Sequence, residues 1–262
     1  MQAVSAVFLS KTQAEQAVRK LQSSRLQADR VSLLTSGGKG LKKLESVPVD
    51  TTEQLGMGTA IGAVVGGAAG LSGGLIAAVV PGVGPVTAVG LLGAAILSAA
   101  GASLGAVAGG SLENFMTEGL PEDEIFVYED ALRKGRSVVI ALAEDAAEAG
   151  SFRKLLKSEG AEAIDAAREQ WWIGLRSAEQ EHYLTFGRDF RDDEKFYRLG
   201  FEAALHARSR CKEFDQVSAE MASDLEDLER QYPGIEVAEP FTRGYQRGRE
   251  HYQHLCEESK AA

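Results

Sequence analysis

The sequence predicts an α+β protein in three parts, and three observations lead to that prediction. Short apolar segments with strand composition alternate with helical patterns on either side of a long insertion. The insertion, residues 54–112, contains no Asp, Glu, Lys or Arg. After residue 172 the chain becomes strongly charged and helical in pattern. We therefore expect a sheet domain built from 1–53 and 113–172, an inserted segment over 54–112, and an α-helical domain over 173–262.

Two strand–helix–strand units are expected to build the sheet domain. The first has strand-like residues at 3–9 and 31–35 with an amphipathic helix between them. The second has a strand over 137–142, a helix over 145–160 and a weaker strand over 161–171. Two such halves are typical of a ferredoxin-like sheet that carries its helices on one face.

The uncharged segment is marked by glycines spaced four residues apart. On a helix of 3.6 residues per turn, this spacing produces a stripe without side chains. Each glycine in a helix costs about 1 kcal/mol relative to alanine, so the stripe predicts a helix pressed against a second helix. The expected helix-packing and oligomerisation positions are Gly58, Gly62, Gly66, Gly70, Gly74, Gly101, Gly105 and Gly109. Turn chemistry predicts the tip of a helical hairpin at Pro81, Gly82, Gly84 and Pro85.

A helical hairpin of this composition has three candidate environments. Each arm of about 25 residues would be roughly 37 Å long, enough to cross a hydrocarbon core of about 30 Å. The arms are poor in Leu and Phe, so they could instead line the interior of a soluble homo-oligomeric shell, ring or filament that holds apolar cargo. A monomeric core is the third environment. The expected partners are therefore copies of the chain itself, with a lipid bilayer or apolar cargo.

Charge and motif content argue against several functions. The net charge of −10 opposes binding to nucleic acid, because an acidic surface repels phosphates. The sequence has no Gly-x-x-x-x-Gly-Lys phosphate loop and no Gly-x-Ser-x-Gly motif, so we expect no enzyme and no cofactor. The first residues lack the pattern of a signal peptide. This predicts a cytoplasmic location, or the cytoplasmic face of the inner membrane with the hairpin inserted.

The C-terminal part is expected to be helical. The predicted helices cover about 174–186, 193–209, 214–231 and 240–257. Two segments, 196–202 and 241–247, resemble each other in placing aromatic residues beside Arg and Gly. The ordinary interpretation is that both segments are core stripes of a small helical domain.

Two residue pairs near the start of this helical part have alternative interpretations. Glu179 and His182 have the spacing of half a di-iron motif, but the second half is missing, so they are weak candidates for a metal site. Trp171 and Trp172 either fill a core at the domain junction or anchor the chain at lipid headgroups.

The order of these segments resembles a bacterial protein family. The most specific parts are the hairpin tip Pro81-Gly82-Val83-Gly84-Pro85 and the acidic run Pro121-Glu122-Asp123-Glu124. Over about residues 1–172 the chain is similar to bacterial general stress and low-temperature-induced proteins that carry a heat-induced stress-protein domain. The resemblance implies a stress-associated structural or interaction protein without established catalysis, and it supplies no catalytic residues.

Overall fold

The computed structural model describes residues 2–23, 30–37, 75–90, 93, 95–97, 122–207, 209–210 and 212–261. The chain divides into two compact units. The sheet unit consists of the described residues of Met1–Pro121 and Val127–Ala167. The helical unit consists of those of Glu122–Phe126 and Arg168–Ala262.

The described part of the sheet unit contains a six-stranded antiparallel sheet, which confirms the predicted α+β class. The strands are β1 (Gln2–Phe8), β2 (Val31–Ser36), β3 (Leu75–Val80), β4 (Gly84–Val89), β5 (Ser137–Ala143) and β6 (Glu162–Ala163). The helices α1 (Lys11–Ser23) and α3 (Ala146–Ser158), with most of α2 (Ile125–Arg133), accompany them. The strand order is β3-β4-β2-β5-β1-β6, and every neighbouring pair is antiparallel.

The core of the sheet unit lies between the sheet and the helices α1 and α3. Strands contribute every second residue and helices contribute residues three or four apart, as the two geometries require. The cluster contains Val4, Ala6, Phe8, Ala14, Ala17, Leu21, Val31, Leu33, Val139, Ala141, Ala143, Ala149, Phe152 and Leu156. Strand β5 is buried along its whole length, so it is the centre of this core.

The helices α1 and α3 both begin at side-chain caps, Ser10 and Asp145. The backbone N–H of Gln13 donates to Oγ of Ser10 at 3.3 Å. Oδ1 of Asp145 accepts from the N–H of Glu148 at 2.8 Å, and the Glu148 carboxylate accepts from the N–H of Glu144 at 2.6 Å. Asp145 thus satisfies a backbone donor that the first helical turn leaves open, and Glu148 binds the residue before the cap in place of the cap residue that a capping box would use.

Residues 75–89 form a β-hairpin, so the predicted helical hairpin is wrong over this stretch. The strands β3 and β4 pair antiparallel, with Val80 opposite Gly84. Gly82 and Gly84 have φ values of 75° and 98°, which favour glycine and permit the tight turn. The four-residue glycine spacing stops at Gly74, and valines and a threonine with strand preference follow. The predicted turn is therefore present, but it joins two strands.

The predicted strand over 161–171 is wrong for most of its length. Only Glu162 and Ala163 pair with β1, and α4 (Ile164–Leu184) begins at the next residue. Ala167 and Trp171 are both buried on this helix, four residues apart. That spacing puts them on one helical face, which the sequence prediction interpreted as an extended segment.

The helical unit contains most of α4 together with α5 (Phe190–Leu205), α6 (Phe214–Gln231) and α7 (Ala238–Ala261). The four helices predicted for this part are confirmed, although the first begins about ten residues earlier than expected. Among the described residues, no helix combines the length and apolar character that a membrane crossing requires.

Candidate functional site

The β3–β4 hairpin is the longest described part of the uncharged segment, residues 54–112, in which the structure also describes Gly90, Gly93 and residues 95–97. Within the described ranges, β3 pairs only with β4 and so forms one edge of the sheet. Its sequence is entirely apolar, Leu-Ile-Ala-Ala-Val-Val, and Val79 is 67% exposed. An apolar edge strand is a template on which another strand can pair.

Contacts to neighbouring elements hold this hairpin on the sheet unit. The hydroxyl oxygens of Thr35 on β2 and Thr87 on β4 are 2.6 Å apart and share a hydrogen bond. The Nε of Arg133 on α2 donates to the carbonyl oxygen of Gly82 in the turn at 2.8 Å. These contacts attach β4 and the turn to the sheet unit, and Val79 is exposed on the outer strand β3.

The residues predicted for the hairpin lie at the turn or outside the described ranges. Pro81 and Gly82 are in the turn, and Gly84 and Pro85 are the first two residues of β4. The predicted helix-packing glycines all lie outside the described residues: Gly58, Gly62, Gly66, Gly70, Gly74, Gly101, Gly105 and Gly109. Their packing role stays a prediction.

Other glycines bring two helices of the helical unit into backbone contact. A Cβ atom placed on Gly200 of α5 would lie 1.9 Å from the carbonyl oxygen of Phe241. One placed on Gly244 of α7 would lie 1.9 Å from the carbonyl oxygen of Tyr197. The two segments whose sequences resemble each other are therefore the facing surfaces of one close helix crossing.

Asp193 is a buried acid held by an aromatic hydroxyl and an arginine. Its carboxylate accepts from the hydroxyl of Tyr183 at 2.7 Å and from Nε and Nη2 of Arg188 at 2.6 and 3.1 Å. Burial alone would raise the pKa of Asp193, but the hydrogen bonds from Arg188 and Tyr183 outweigh it and lower that pKa. Burial raises the pKa of Tyr183. At neutral pH the acid is therefore charged and the phenol keeps its proton.

Glu179 is a second buried acid that accepts hydrogen bonds from a tyrosine hydroxyl and an arginine. Its Oε2 accepts from the hydroxyl of Tyr197 at 2.8 Å and from Nε of Arg247 at 3.1 Å. The Glu179 side chain is 3% exposed, and burial raises the pKa of Tyr197. The carboxylate thus has two partners that reach it from α5 and α7.

Glu194 completes a third set of this kind. Nε and Nη2 of Arg176 donate to its two carboxylate oxygens at 2.7 and 2.5 Å, and Nε1 of Trp172 donates at 3.0 Å. The hydrogen bond from Arg176 lowers the pKa of Glu194. In each set, a guanidinium and an aromatic donor hold the acid, which stabilises helix packing. The lowered pKa values of Asp193 and Glu194 also leave these two acids unsuited to proton transfer near neutral pH.

The weak metal candidates are not assembled into a centre. Glu179 is taken by Tyr197 and Arg247, and a guanidinium beside a carboxylate opposes a metal cation. The His182 ring packs against Phe186, with ring centroids 5.4 Å apart. Among the described residues, no group of three or more His, Cys, Asp or Glu side chains has a geometry that could hold a metal ion.

The headgroup-anchor interpretation of the two tryptophans is wrong. Trp171 and Trp172 are 5% and 1% exposed. Their rings pack against Phe201, with centroids 5.9 Å away in both cases, and Trp171 also packs against Phe126 at 4.8 Å. Both indoles therefore lie in the core of the helical unit, where they cannot reach lipid headgroups.

Comparison of the chain with protein-family models, with curated proteins and with solved structures finds no match in any of the three.

Proposed function

We propose that the protein is a non-enzymatic, stress-associated structural protein that assembles with copies of itself or attaches to a membrane through its uncharged segment, residues 54–112. The observation that carries this proposal is the apolar edge strand β3 within that segment, on which Val79 is 67% exposed.

The chemistry of the segment favours contact between copies. The chain carries a net charge of −10, so two copies repel each other over most of their surfaces. Residues 54–112 carry no charged side chain, so contact there avoids that repulsion. An edge strand supplies backbone hydrogen bonds to a strand from a second copy, and burial of Val79 adds the hydrophobic contribution.

We also interpret the core of the sheet unit as a ferredoxin-like arrangement. Strands β2, β5, β1 and β6 lie side by side, and α1 and α3 follow β1 and β5 along the chain. In this interpretation, the β3–β4 hairpin extends the four-stranded core beyond β2. With this extension, β3 and β6 are the two opposite edges of the sheet.

The test compares V79K with L9K in the full-length protein. Val79 and Leu9 are both exposed apolar residues of the sheet unit, at 67% and 72%, but only Val79 lies on the edge strand. Light scattering coupled to size exclusion measures the mass with and without detergent, and a carbonate wash of cell membranes measures attachment. We expect wild-type protein and L9K to be oligomeric or membrane-bound, and V79K to shift toward a free monomer, because lysine blocks edge pairing.

The carbonate wash distinguishes attachment to a membrane from assembly with copies of the chain. A form that remains in the washed membrane pellet is attached to lipid, whereas a large form in the supernatant is a lipid-free assembly. A wild-type protein that is monomeric at all concentrations and absent from the pellet would overturn the proposal. Equal behaviour of V79K and L9K would remove β3 as its basis.

A further inference from the structure

A groove on the helical unit is lined by four cationic side chains. Its volume is about 530 Å³, and it lies between Arg168 on α4 and one face of α5. Arg191, Lys195 and Arg198 line it from α5 at intervals of four and three residues. Side chains at this spacing lie on one helical stripe, so their charges point to the same side of α5. We call this feature the basic groove.

The two acids in the basic groove do not cancel its charge. Glu194 is paired with Arg176, which is not among the lining residues and contributes its own positive charge. Glu202 accepts from Nε of Arg198 at 2.7 Å and lies 3.8 Å from Nη1 of Arg168. Two acids outside the lining also pair with its arginines: Glu169 with Arg198 at 2.7 Å and Asp123 with Arg168 at 3.5 Å. The four lining cations and Arg176 outnumber these four acids by one, so the basic groove keeps a small positive charge on a chain whose net charge is −10.

Two guanidinium groups of the basic groove retain unused hydrogen-bond donors. In the described part of the chain, the exposed Arg191 side chain makes no hydrogen bond or ion pair. Arg168 donates from Nη2 to the carbonyl oxygen of Asp123 at 3.2 Å, but its Nε is buried without a hydrogen-bond partner among the described residues. Buried donors are rarely left open, so the free Nε needs an explanation.

We propose that the basic groove binds the phosphate groups of a polyanionic ligand. A guanidinium presents N–H donors in a fork that matches phosphate oxygens, and a lysine adds a compact charge. Several cations one helical turn apart suit a ligand with two or more phosphate charges better than a single carboxylate. A soluble polyphosphate and the phosphomonoester headgroup of a lipid share this chemistry. None of the residues that line the basic groove belongs to residues 54–112, so this proposal does not depend on the function proposed above.

The test measures binding of tripolyphosphate by calorimetry at fixed ionic strength. Arg191 is compared with Arg230, an exposed arginine of α6 outside the basic groove, by making R191A, R191E, R230A and R230E in the full-length chain. We expect saturable binding by the wild type, about tenfold weaker binding by R191A and a larger loss in R191E, since a charge-assisted hydrogen bond contributes that much. The Arg230 variants are expected to bind as the wild type does.

A second arm identifies the source of the phosphate. Flotation with phosphatidylcholine vesicles, with and without phosphatidic acid, tests whether a lipid headgroup occupies the basic groove. Binding to phosphatidic acid that R191E abolishes and tripolyphosphate displaces assigns the lipid source, while binding to tripolyphosphate alone assigns a soluble one. Failure of the wild type to bind either probe overturns the proposal, as does equal binding by R191E and R230E in folded proteins with matching circular dichroism.

Discussion

Replacement of Gly244 by alanine is expected to destabilise the helical unit strongly. The new Cβ atom would lie 1.9 Å from the carbonyl oxygen of Tyr197, where ordinary van der Waals contact begins at 3.4 Å. The obstacle is backbone on α5, so no side-chain rotation can relieve it. The helices α5 and α7 must therefore separate locally by about 1.5 Å, or the α5 backbone must distort.

The size of the effect follows from two opposing contributions. Alanine has a better helix propensity than glycine by about 1 kcal/mol. Overpacking a close contact costs about 1–3 kcal/mol, and a clash with backbone belongs at or above the upper end. We expect G244A to lower the free energy of unfolding by about 2 kcal/mol after the propensity gain. For a domain of this size that corresponds to a fall in Tm of roughly 10 °C.

Gly174 supplies the matched control. It lies inside α4 of the same unit, and a Cβ placed there meets nothing within 4 Å. G174A therefore receives the propensity gain without the clash and should stabilise the unit by about 0.5–1 kcal/mol. Both variants add one methyl group to a helical glycine. The difference between their free energies of unfolding therefore reports the clash at the close crossing of α5 and α7.

Urea unfolding followed by tryptophan fluorescence measures this difference in the full-length protein. The chain has two tryptophans, Trp171 and Trp172, and both belong to the helical unit, so the signal reports that unit. Unfolding midpoints with unchanged slopes give the change in stability. If G244A proves as stable as G174A, the backbones of α5 and α7 are not in contact and the reasoning is refuted.

Three further perturbations test contacts in both units. D145A removes the cap of α3 and should cost about 1 kcal/mol, measured by faster hydrogen exchange of the amides in its first turn, including Glu148. Because its pKa is lowered in the folded state, Asp193 contributes stability that is present above pH about 4 and is lost as the pH falls through the folded pKa. D193N should therefore flatten the acid side of the fluorescence-detected stability profile, and it should cost about 2 kcal/mol at pH 7, because Arg188 loses its charged partner on α5 and keeps only Glu239. R133A removes the hydrogen bond to the hairpin turn and should increase amide exchange there while tryptophan-detected unfolding stays unchanged.

The sequence could predict those parts of the fold whose signals are local. Strands β1, β2 and β5 are short apolar runs, and α1 and α3 begin at Ser10 and Asp145, which carry capping side chains. Each of these signals lies within a few residues of the structure that it specifies. These strands and helices can therefore be predicted without knowledge of the tertiary contacts.

The β3–β4 hairpin could not be predicted in the same way. Small residues and glycines fit a close helix pair as well as a strand pair, so the glycine spacing alone did not decide between them. What fixes the hairpin is tertiary: Thr87 meets Thr35 on β2, which is 52 residues earlier in the chain, and Arg133 reaches the turn from α2. Partners this distant in sequence cannot be identified from the few residues around the hairpin.

The paired acids of the helical unit were missed for the same reason. Glu179 and Arg247 are 68 residues apart in sequence, and the spacing of Glu179 to His182 suggested a metal ligand instead. One available signal was that Glu179 lies four residues before Tyr183, on the same helical face, where an acid is unusual unless it has partners. The basic groove had a comparable signal in the one-turn spacing of cationic residues along α5.

Close glycine contacts and paired acids make different contributions to the helical unit. Gly200 and Gly244 let α5 and α7 approach, and the close contact opposes any rotation that turns a residue with a Cβ atom toward the partner's backbone. The acids oppose rotation as well, because a shift of α5 by one residue, a turn of about 100°, would remove Tyr197 from Glu179 and Asp193 from its partners. A buried charge without a partner costs several kcal/mol. The glycines therefore set the distance between α5 and α7, and the acids add an energetic cost to any pairing of other faces.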